Sequence, residues 1–537
     1  MTSSRDSTPP AKKTAPEVAA TSGRRPFRLH SQGRPDRAYY GRRLVNPDPR
    51  PLMPDPETVA STERPELKRA ISGLGFFALA FGSMIGVGWI TALGGWFERA
   101  GPTGAILAFA AGGALMLLIG LCYAEVTPML PVTGGEVAYA YKAFGTSEAF
   151  VIGWFLAFGY LSVSAFEAVS VGLVLSYLFP RIDVVPLYEI AGSTVFASHL
   201  VLAFLFTAII TAINYFGVGI ASRVQVALTA LFLLCAVLFV ASGVASGDVA
   251  NLAPHFGDRA LGAGGLGGML AVFVTVPFWF VGFDTIPQAA EERREGSSLR
   301  RLGLYVVLAI VGSTLFYIAV IFGAGVTGPW RDIVDEPLPT AAAFASAFES
   351  PVTVRLVLVA GLIGLLTSWN GFFLAGSRVL FSLGRGRIID ESFGRTHDRY
   401  GTPAAAVLFS GGVTFVAALL GRGAILAFVD VGSFCIALAF LGVALSLLRL
   451  RRDFPELERP YRMPGGRVLP HVAAAGALFI LCVMLFPGSP SMLVWPLEWA
   501  ILGALVLAGL VFWRAAGAYR GRLTEDERSR LILEEYA

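Results

Sequence analysis

The chain has 537 residues, of which 55% are hydrophobic and only 15% charged, with a mean hydropathy of +0.65; soluble domains carry roughly a quarter charged residues, so the composition excludes an ordinary soluble enzyme and describes a membrane protein. The net charge of +4 hides an asymmetry, because residues 1–70 hold 14 Lys and Arg against 8 Asp and Glu, together with 11 of the 31 Pro. The 4 Cys lie in apolar runs, the 5 His are scattered and no Gly-Lys-Ser/Thr phosphate loop occurs, which argues against a disulfide framework, a metal site, catalytic residues, a cofactor or ATP-driven transport.

Residues 1–70 lack the apolar surface needed to offset chain entropy and are expected to form a disordered, basic cytoplasmic tail with no cleaved signal peptide. From Ile71 onward, apolar stretches long enough to cross a bilayer of about 30 Å recur about twelve times, near 71–97, 102–127, 150–179, 198–214, 218–243, 267–290, 302–327, 352–383, 403–421, 424–448, 468–486 and 494–513. Their length and their lack of strict alternation favour an all-α membrane protein over a lipid-embedded barrel. We number these spans 1 to 12. The remaining residues 515–537 form a C-terminal cytoplasmic tail.

The loops set the orientation, because positive charge collects on the cytoplasmic side. With the amino terminus inside, the inner loops carry 17 Lys and Arg, from Lys142 to the run Arg449 to Arg467, and the outer loops six: Arg99, Arg181, Arg259, Arg331, Arg355 and Arg422. Both termini are therefore expected on the inner side of a plasma (inner) membrane. The basic patches at helix ends suit anionic lipid headgroups rather than nucleic acid.

Two spans are interrupted at matching places. Span 1 contains Gly82-Ser83-Met84-Ile85-Gly86-Val87-Gly88 and span 6 contains Pro277-Phe278-Trp279-Phe280-Val281-Gly282-Phe283-Asp284. Paired Gly/Pro breaks in two oppositely oriented halves point to a transporter binding site near the membrane midplane, although glycines in such helices also serve close packing. The pattern predicts inverted repeats over 71–243 and 265–450, with spans 11 and 12 (451–514) outside them.

At these residues the chain resembles the amino acid–polyamine–organocation superfamily of permeases, from Ile71 to about Arg514. The likeness rests on the span 1 glycines, on Tyr123-Ala124-Glu125 with Pro131 and Gly134-Gly135, and on Phe280-Val281-Gly282-Phe283-Asp284 leading to Glu291-Glu292. It continues through Ser377-Arg378-Val379-Leu380, Tyr400-Gly401-Thr402-Pro403 and Arg459-Pro460-Tyr461-Arg462. The resemblance implies a five-plus-five inverted-repeat core with discontinuous helices 1 and 6 plus two extra helices. It also implies transport of amino acids, amines or organic cations by alternating access.

Elementary chemistry places the same site. Unwound backbone in a membrane leaves peptide groups that a polar ligand can satisfy. The amides of Gly86, Val87 and Gly88 suit a carboxylate, and the carbonyls of Phe278, Trp279 and Phe280 suit an ammonium group, with Ser83, Ile85 and Gly282 beside them. Trp279 or Phe280 is the candidate lid. Glu167 in span 3 is an acid at membrane depth and so faces the interior; it pairs with a substrate amine, carries a coupling proton, or is structural. Asp284 is expected to cap the second half of span 6, and Asp430, at the outer end of span 10, to be solvated at the surface or, as the alternative, to serve an outer gate. Glu125, Glu291 and Glu292 are expected to pair with inner-loop Arg residues as a cytoplasmic gate. Thr367 and Ser368 could offer oxygens to sodium, but hydroxyls in membrane helices mostly bond their own backbone, which favours a proton. The sequence therefore reads as a secondary transporter or exchanger of a small amino acid or related amine. An organic-cation carrier without carboxylate recognition is the nearer alternative, and a membrane-embedded enzyme or sensor the more distant one.

Overall fold

The computed structural model describes residues 64–257, 266–336, 338–348, 351–489 and 491–536. The expected disordered tail falls, up to residue 63, outside the described residues. Among the described residues, ten helices are long and apolar enough to cross a membrane, and Ala404–Ala418 is a shorter apolar helix. With the interrupted segment from Leu266 to Glu292 they fill the twelve expected places.

Span 1 starts at Gly73, where the Ser72 hydroxyl accepts from the Gly75 amide at 3.1 Å. It runs to Met84, breaks, and resumes at Gly88. The chain turns at Gly101, whose φ of 71° only glycine adopts without strain, and continues as span 2 to Met129. Span 3 is Thr146–Leu178, span 4 Ala197–Phe216 and span 5 Val218–Ser246. The boundary expected near 214–219 falls at Gly217, with φ 148°. Span 6 is three short pieces, Leu266–Phe273, Val276–Trp279 and Thr285–Gln288. Span 7 is Arg300–Gly325, span 8 Pro351–Arg385, span 9 Ala404–Ala418 and span 10 Gly421–Asp453, followed by span 11, Val468–Leu485, and span 12, Leu497–Ala515.

Four further elements carry no long apolar run and went unforeseen. They are helices Gly135–Phe144 and Pro339–Phe348, an antiparallel hairpin of β1 (Pro186–Ile190) with β2 (Ser193–Phe196), and a terminal helix Glu525–Leu533. The last lies within the C-terminal segment 515–537.

Spans 1, 3, 8 and 10 bury most of their apolar windows, whereas spans 4, 5, 11 and 12 turn most of theirs outward. An amide network ties the interior together. Gln225 of span 5 donates through Nε2 to the carbonyls of Ala78 and Thr367, both at 3.1 Å. Its Oε1 accepts from Asn370 Nδ2 at 2.8 Å, and Asn370 Oδ1 accepts from Asn214 at 3.0 Å. Leaving one such buried group unmet costs about 1–3 kcal/mol, so spans 1, 4, 5 and 8 are held in one register.

The residues just before span 1 and the C-terminal helix meet on one face. Residues 64–70, assigned to the tail by composition, are ordered there: the Lys68 amide donates to Gly401 O, and those of Ala70 and Ile71 to Glu292 O. Arg64 bonds Glu291 at 2.9 Å and, through Nε, the Leu531 carbonyl at 3.1 Å. Arg385 also pairs with Glu291, at 3.0 Å, and Arg378 holds Glu292 in a fully buried bidentate pair at 2.8 and 3.0 Å. Glu125 pairs with Arg451 and, at 3.5 Å, Arg459. The three expected acidic residues therefore do form ion pairs, but as two groups. Glu291 and Glu292 bind the end of span 8, while Glu125 binds the end of span 10 and the segment after it.

Burial alone would raise the Glu291 carboxyl, but the guanidinium groups of Arg385 and Arg64 carry it down to about 2. An ordinary Glu titrates near about 4.3, so this pairing stabilises the fold fully above that value and is lost as pH falls toward 2. The melting temperature of solubilised protein is expected to drop across that acid window, and Glu291→Gln to lower it at neutral pH while flattening the acid loss. An equally steep acid loss in the variant would contradict the assignment.

Candidate functional site

The two breaks lie against each other because Gly282, at φ 134°, brings span 6 onto span 1; a Cβ there would stand 2.6 Å from the Met84 amide nitrogen. Tyr317 of span 7 bridges them. Its hydroxyl lies 3.2 Å from both the Met84 carbonyl, where the first half of span 1 ends, and the Trp279 carbonyl, where the first half of span 6 ends. Nothing in the sequence pattern distinguished this tyrosine from an ordinary aromatic of an apolar helix.

Beside the breaks lies a cavity of about 430 Å³ with walls from spans 1, 3, 6, 7, 8, 10 and 11. It extends to Ser491, Met492 and Val494, between spans 11 and 12, on the face opposite the Glu291 and Glu292 ion pairs. Hollows of similar size lie under the hairpin and beside Pro339–Phe348, but neither touches a helix break.

Of the sequence-predicted residues, Ser83, Gly86, Val87, Gly88, Glu167, Phe278 and Trp279 line this cavity. Ile85, Phe280 and Gly282 do not. Ile85 is buried with its carbonyl toward Gly364, Phe280 packs on Tyr317, and Gly282 is consumed by the contact between the breaks. Of the two lid candidates, then, Trp279 alone faces the cavity. Its ring covers the Cα of Gly88 and meets Trp96 edge-on at 5.3 Å.

The expected backbone donors are available. No acceptor among the described residues bonds the amides of Ile85, Gly86, Val87 or Gly88. The carbonyls are less free than anticipated: Phe278 O accepts from the Val281 amide and Trp279 O from Tyr317, leaving Phe280 O and Val281 O without a bonded donor among the described residues. Ser83 adds little, because its hydroxyl donates to Leu79 O at 2.5 Å.

Glu167 is buried, and its Oε2 has no hydrogen-bond partner. Its Oε1 lies over Gly86, where a Cβ would stand 2.5 Å away, and the Ser368 hydroxyl is on the same side. An acid and a set of open amides thus share one small space. Thr367, by contrast, donates to Gly364 O at 2.8 Å.

Two acids differ from expectation. Asp284 does not cap the second half of span 6. Its own φ/ψ of −71°/−3° is already helical, so the side chain turns back and accepts from the Gly282 amide and the Tyr160 hydroxyl, each at 2.8 Å. Asp430 keeps an exposed edge but is not simply solvated: it lines the cavity mouth with its carboxyl turned toward Glu498.

A largely apolar hollow edged by open peptide groups and one acid at two broken helices, inside a multi-pass apolar bundle with ion pairs on one face, is the architecture of a membrane transporter. Residues 71–510 match the family model described as "Amino acid permease", and the chain belongs to that family. It is similar to the branched-chain amino acid permease BcaP of Bacillus subtilis, at 26% identity over 81% of this chain and 92% of the relative. It is also similar to the methylthioribose transporter of the same organism, at 25% over 79% and 90%, and to the chloroplastic cationic amino acid transporter 7 of Arabidopsis thaliana, at 26% over 83% and 75%.

Gly86→Ala is expected to leave the fold intact but to push the Glu167 carboxylate off its position, weakening ligand binding by about tenfold or more, the equivalent of about 1.4 kcal/mol. Ligand-dependent thermal shifts measure this; an unchanged affinity would separate Gly86 from the binding surface.

Proposed function

We propose that this amino acid permease is a secondary active transporter that moves a small amino acid or related amine by alternating access, through proton-coupled symport or exchange. The observation that carries the reading is the shared space of the unbonded amides at Gly86, Val87 and Gly88 and the Glu167 carboxyl, whose Oε2 has no partner. A zwitterion answers both: its carboxylate takes the amides at the start of the second half of span 1, where the helix dipole is favourable, and its ammonium group takes Glu167 and the Phe280 and Val281 carbonyls. Trp279 bounds the space as a lid.

Two inverted repeats, 71–243 and 265–450, account for the breaks standing opposite each other. The face holding the chain ends and most of the Arg is the cytoplasmic side of a plasma membrane, by the distribution of positive charge. There Glu125, Glu291 and Glu292 act as gate residues, and anionic lipids meet the exposed Arg of the helix ends. Because the cavity reaches the other face, the arrangement corresponds to a carrier closed to the cytoplasm.

Proton coupling is favoured over sodium because the oxygens that would serve a cation between spans 1 and 8 are engaged. Ala78 O and Thr367 O accept from the Gln225 amide, Ala78 O lies 3.4 Å from the Thr229 hydroxyl, and Thr367 spends its own hydroxyl on its helix.

The test is a thermal-shift screen of the purified protein against amino acids and amines, followed by uptake of the hits into proteoliposomes with and without a pH gradient. Glu167→Gln is expected to abolish concentrative uptake. Unchanged accumulation would remove Glu167 from both coupling and amine pairing. Stabilisation by amines lacking a carboxylate, and not by amino acids, would replace the substrate assignment with an organic cation.

A further inference from the structure

Toward the closed face from the span 6 break lies a second acidic centre that the binding site does not use. Glu136, in helix Gly135–Phe144, is completely buried. Its Oε2 accepts from the Gln288 side-chain amide, while its Oε1 has no partner. Asp284 is near it on span 6, also fully buried. The groups facing Glu136 are Tyr123 from span 2, Tyr139 from its own helix, and Asp284 and Gln288 from span 6; Tyr160 from span 3 bonds Asp284. None is cationic. The guanidinium groups of this face are committed elsewhere, Arg378 to Glu292 and Arg385 to Glu291.

The two acids are served unequally. Asp284 receives donors on both oxygens, from Gly282 and Tyr160, a set that suits a carboxylate. Glu136 receives Gln288 on one oxygen, with the Tyr123 hydroxyl turned toward it and Tyr139 buried beside it. A second bare negative charge in so dry a place, beside Asp284 and without a counter-ion, is strongly disfavoured. Burial accordingly pushes the Glu136 carboxyl well above the usual range, with the Asp284 charge adding to it.

We propose that Glu136 is a proton-binding site separate from the substrate cavity: a neutral carboxyl that keeps its proton while this face is closed and yields it when the face opens. Helix Gly135–Phe144 is seated on span 6 by packing of Gly135 against Pro287 and by the Glu136–Gln288 bond. Separation of the two admits water; the O–H bond of Glu136 breaks, the proton passes to water, and a hydrated carboxylate remains. Return to the closed state requires a proton to be taken up again. The opening step rests on the alternating-access reading, whereas the bound proton does not.

Infrared spectroscopy of the full-length protein at neutral pH tests this directly. A carbonyl band of a protonated carboxyl is expected in the wild type, lost in Glu136→Gln and retained in Glu167→Gln. A band unaltered by Glu136→Gln would overturn the proposal, as would sodium raising the melting temperature of the wild type but not of Glu136→Gln, which would make the centre a cation site. Titration of the wild type alone gives a second readout: the band should persist at neutral pH and vanish only on alkalinisation, and its absence at neutral pH would equally overturn it. In proteoliposomes, Glu136→Gln should retain counterflow and lose its response to a pH gradient; full retention of that response would contradict the release step. Wild-type uptake indifferent to pH, with the band still assigned to Glu136, would refute proton coupling of transport but leave the proton site standing.

Discussion

Peptide groups inside a membrane must be bonded, and the structure is organised around the two places where this protein leaves some of them open. Hydrocarbon offers no substitute for water, so an interrupted helix survives only where it is enclosed by protein or lines a polar space. Both conditions are met at once. Gly282 and Tyr317 join the two interruptions and satisfy the Met84 and Trp279 carbonyls, while the amides from Ile85 to Gly88 remain available along the cavity wall. The local irregularity of spans 1 and 6 is tolerable because spans 3, 7, 8 and 10 surround it with regular helix.

Around this centre the polar groups divide into fixed and unfulfilled sets. The Gln225 and Asn370 amides are matched donor to acceptor, with Asn214 donating into them, and neutral groups matched in this way hold helices together at no cost in buried charge. The Glu292–Arg378 pair is the charged counterpart, and removing one partner of such a buried pair costs about 3–5 kcal/mol. Glu167 and Glu136 stand apart, each with an oxygen lacking a partner, one in the cavity wall and one beneath the face that holds the Glu291 and Glu292 ion pairs. Buried acids left incomplete in a membrane protein mark the places where an ion, a proton or a ligand belongs.

Much of this was legible in the chain. Helix positions followed from apolar length, and the breaks from Gly86, Gly88, Pro277 and Gly282, because glycine and proline act locally on the backbone. Side-chain direction was not legible in the same way. Phe280 and Trp279 are adjacent aromatics in one motif, yet one packs into the bundle and the other faces the cavity, a distinction set by Tyr317 and Trp96 from distant spans. Asp284 was misread for a related reason: its partner Tyr160 lies in another helix. Glu136 drew no attention because it follows a Gly-Gly pair in what reads as a loop, and its burial arises only when the short helix after Gly134 packs onto span 6. The hairpin has a local cue, Ala191-Gly192 with both residues at positive φ, but too few residues to stand out among long apolar runs.

The meeting of the residues before span 1 with the C-terminal helix carries a consequence of its own. Leu531, Ile532 and Leu533 are buried against the terminal face, Arg528 reaches the Gly386 carbonyl and Arg64 reaches Leu531. Any motion that parts this face must first undock a strap built from the residues just before span 1 and the C-terminal helix. None of these residues touches the cavity, so the strap's grip and the make-up of the cavity wall are independent variables: the segments flanking the bundle can change without disturbing what lines the hollow.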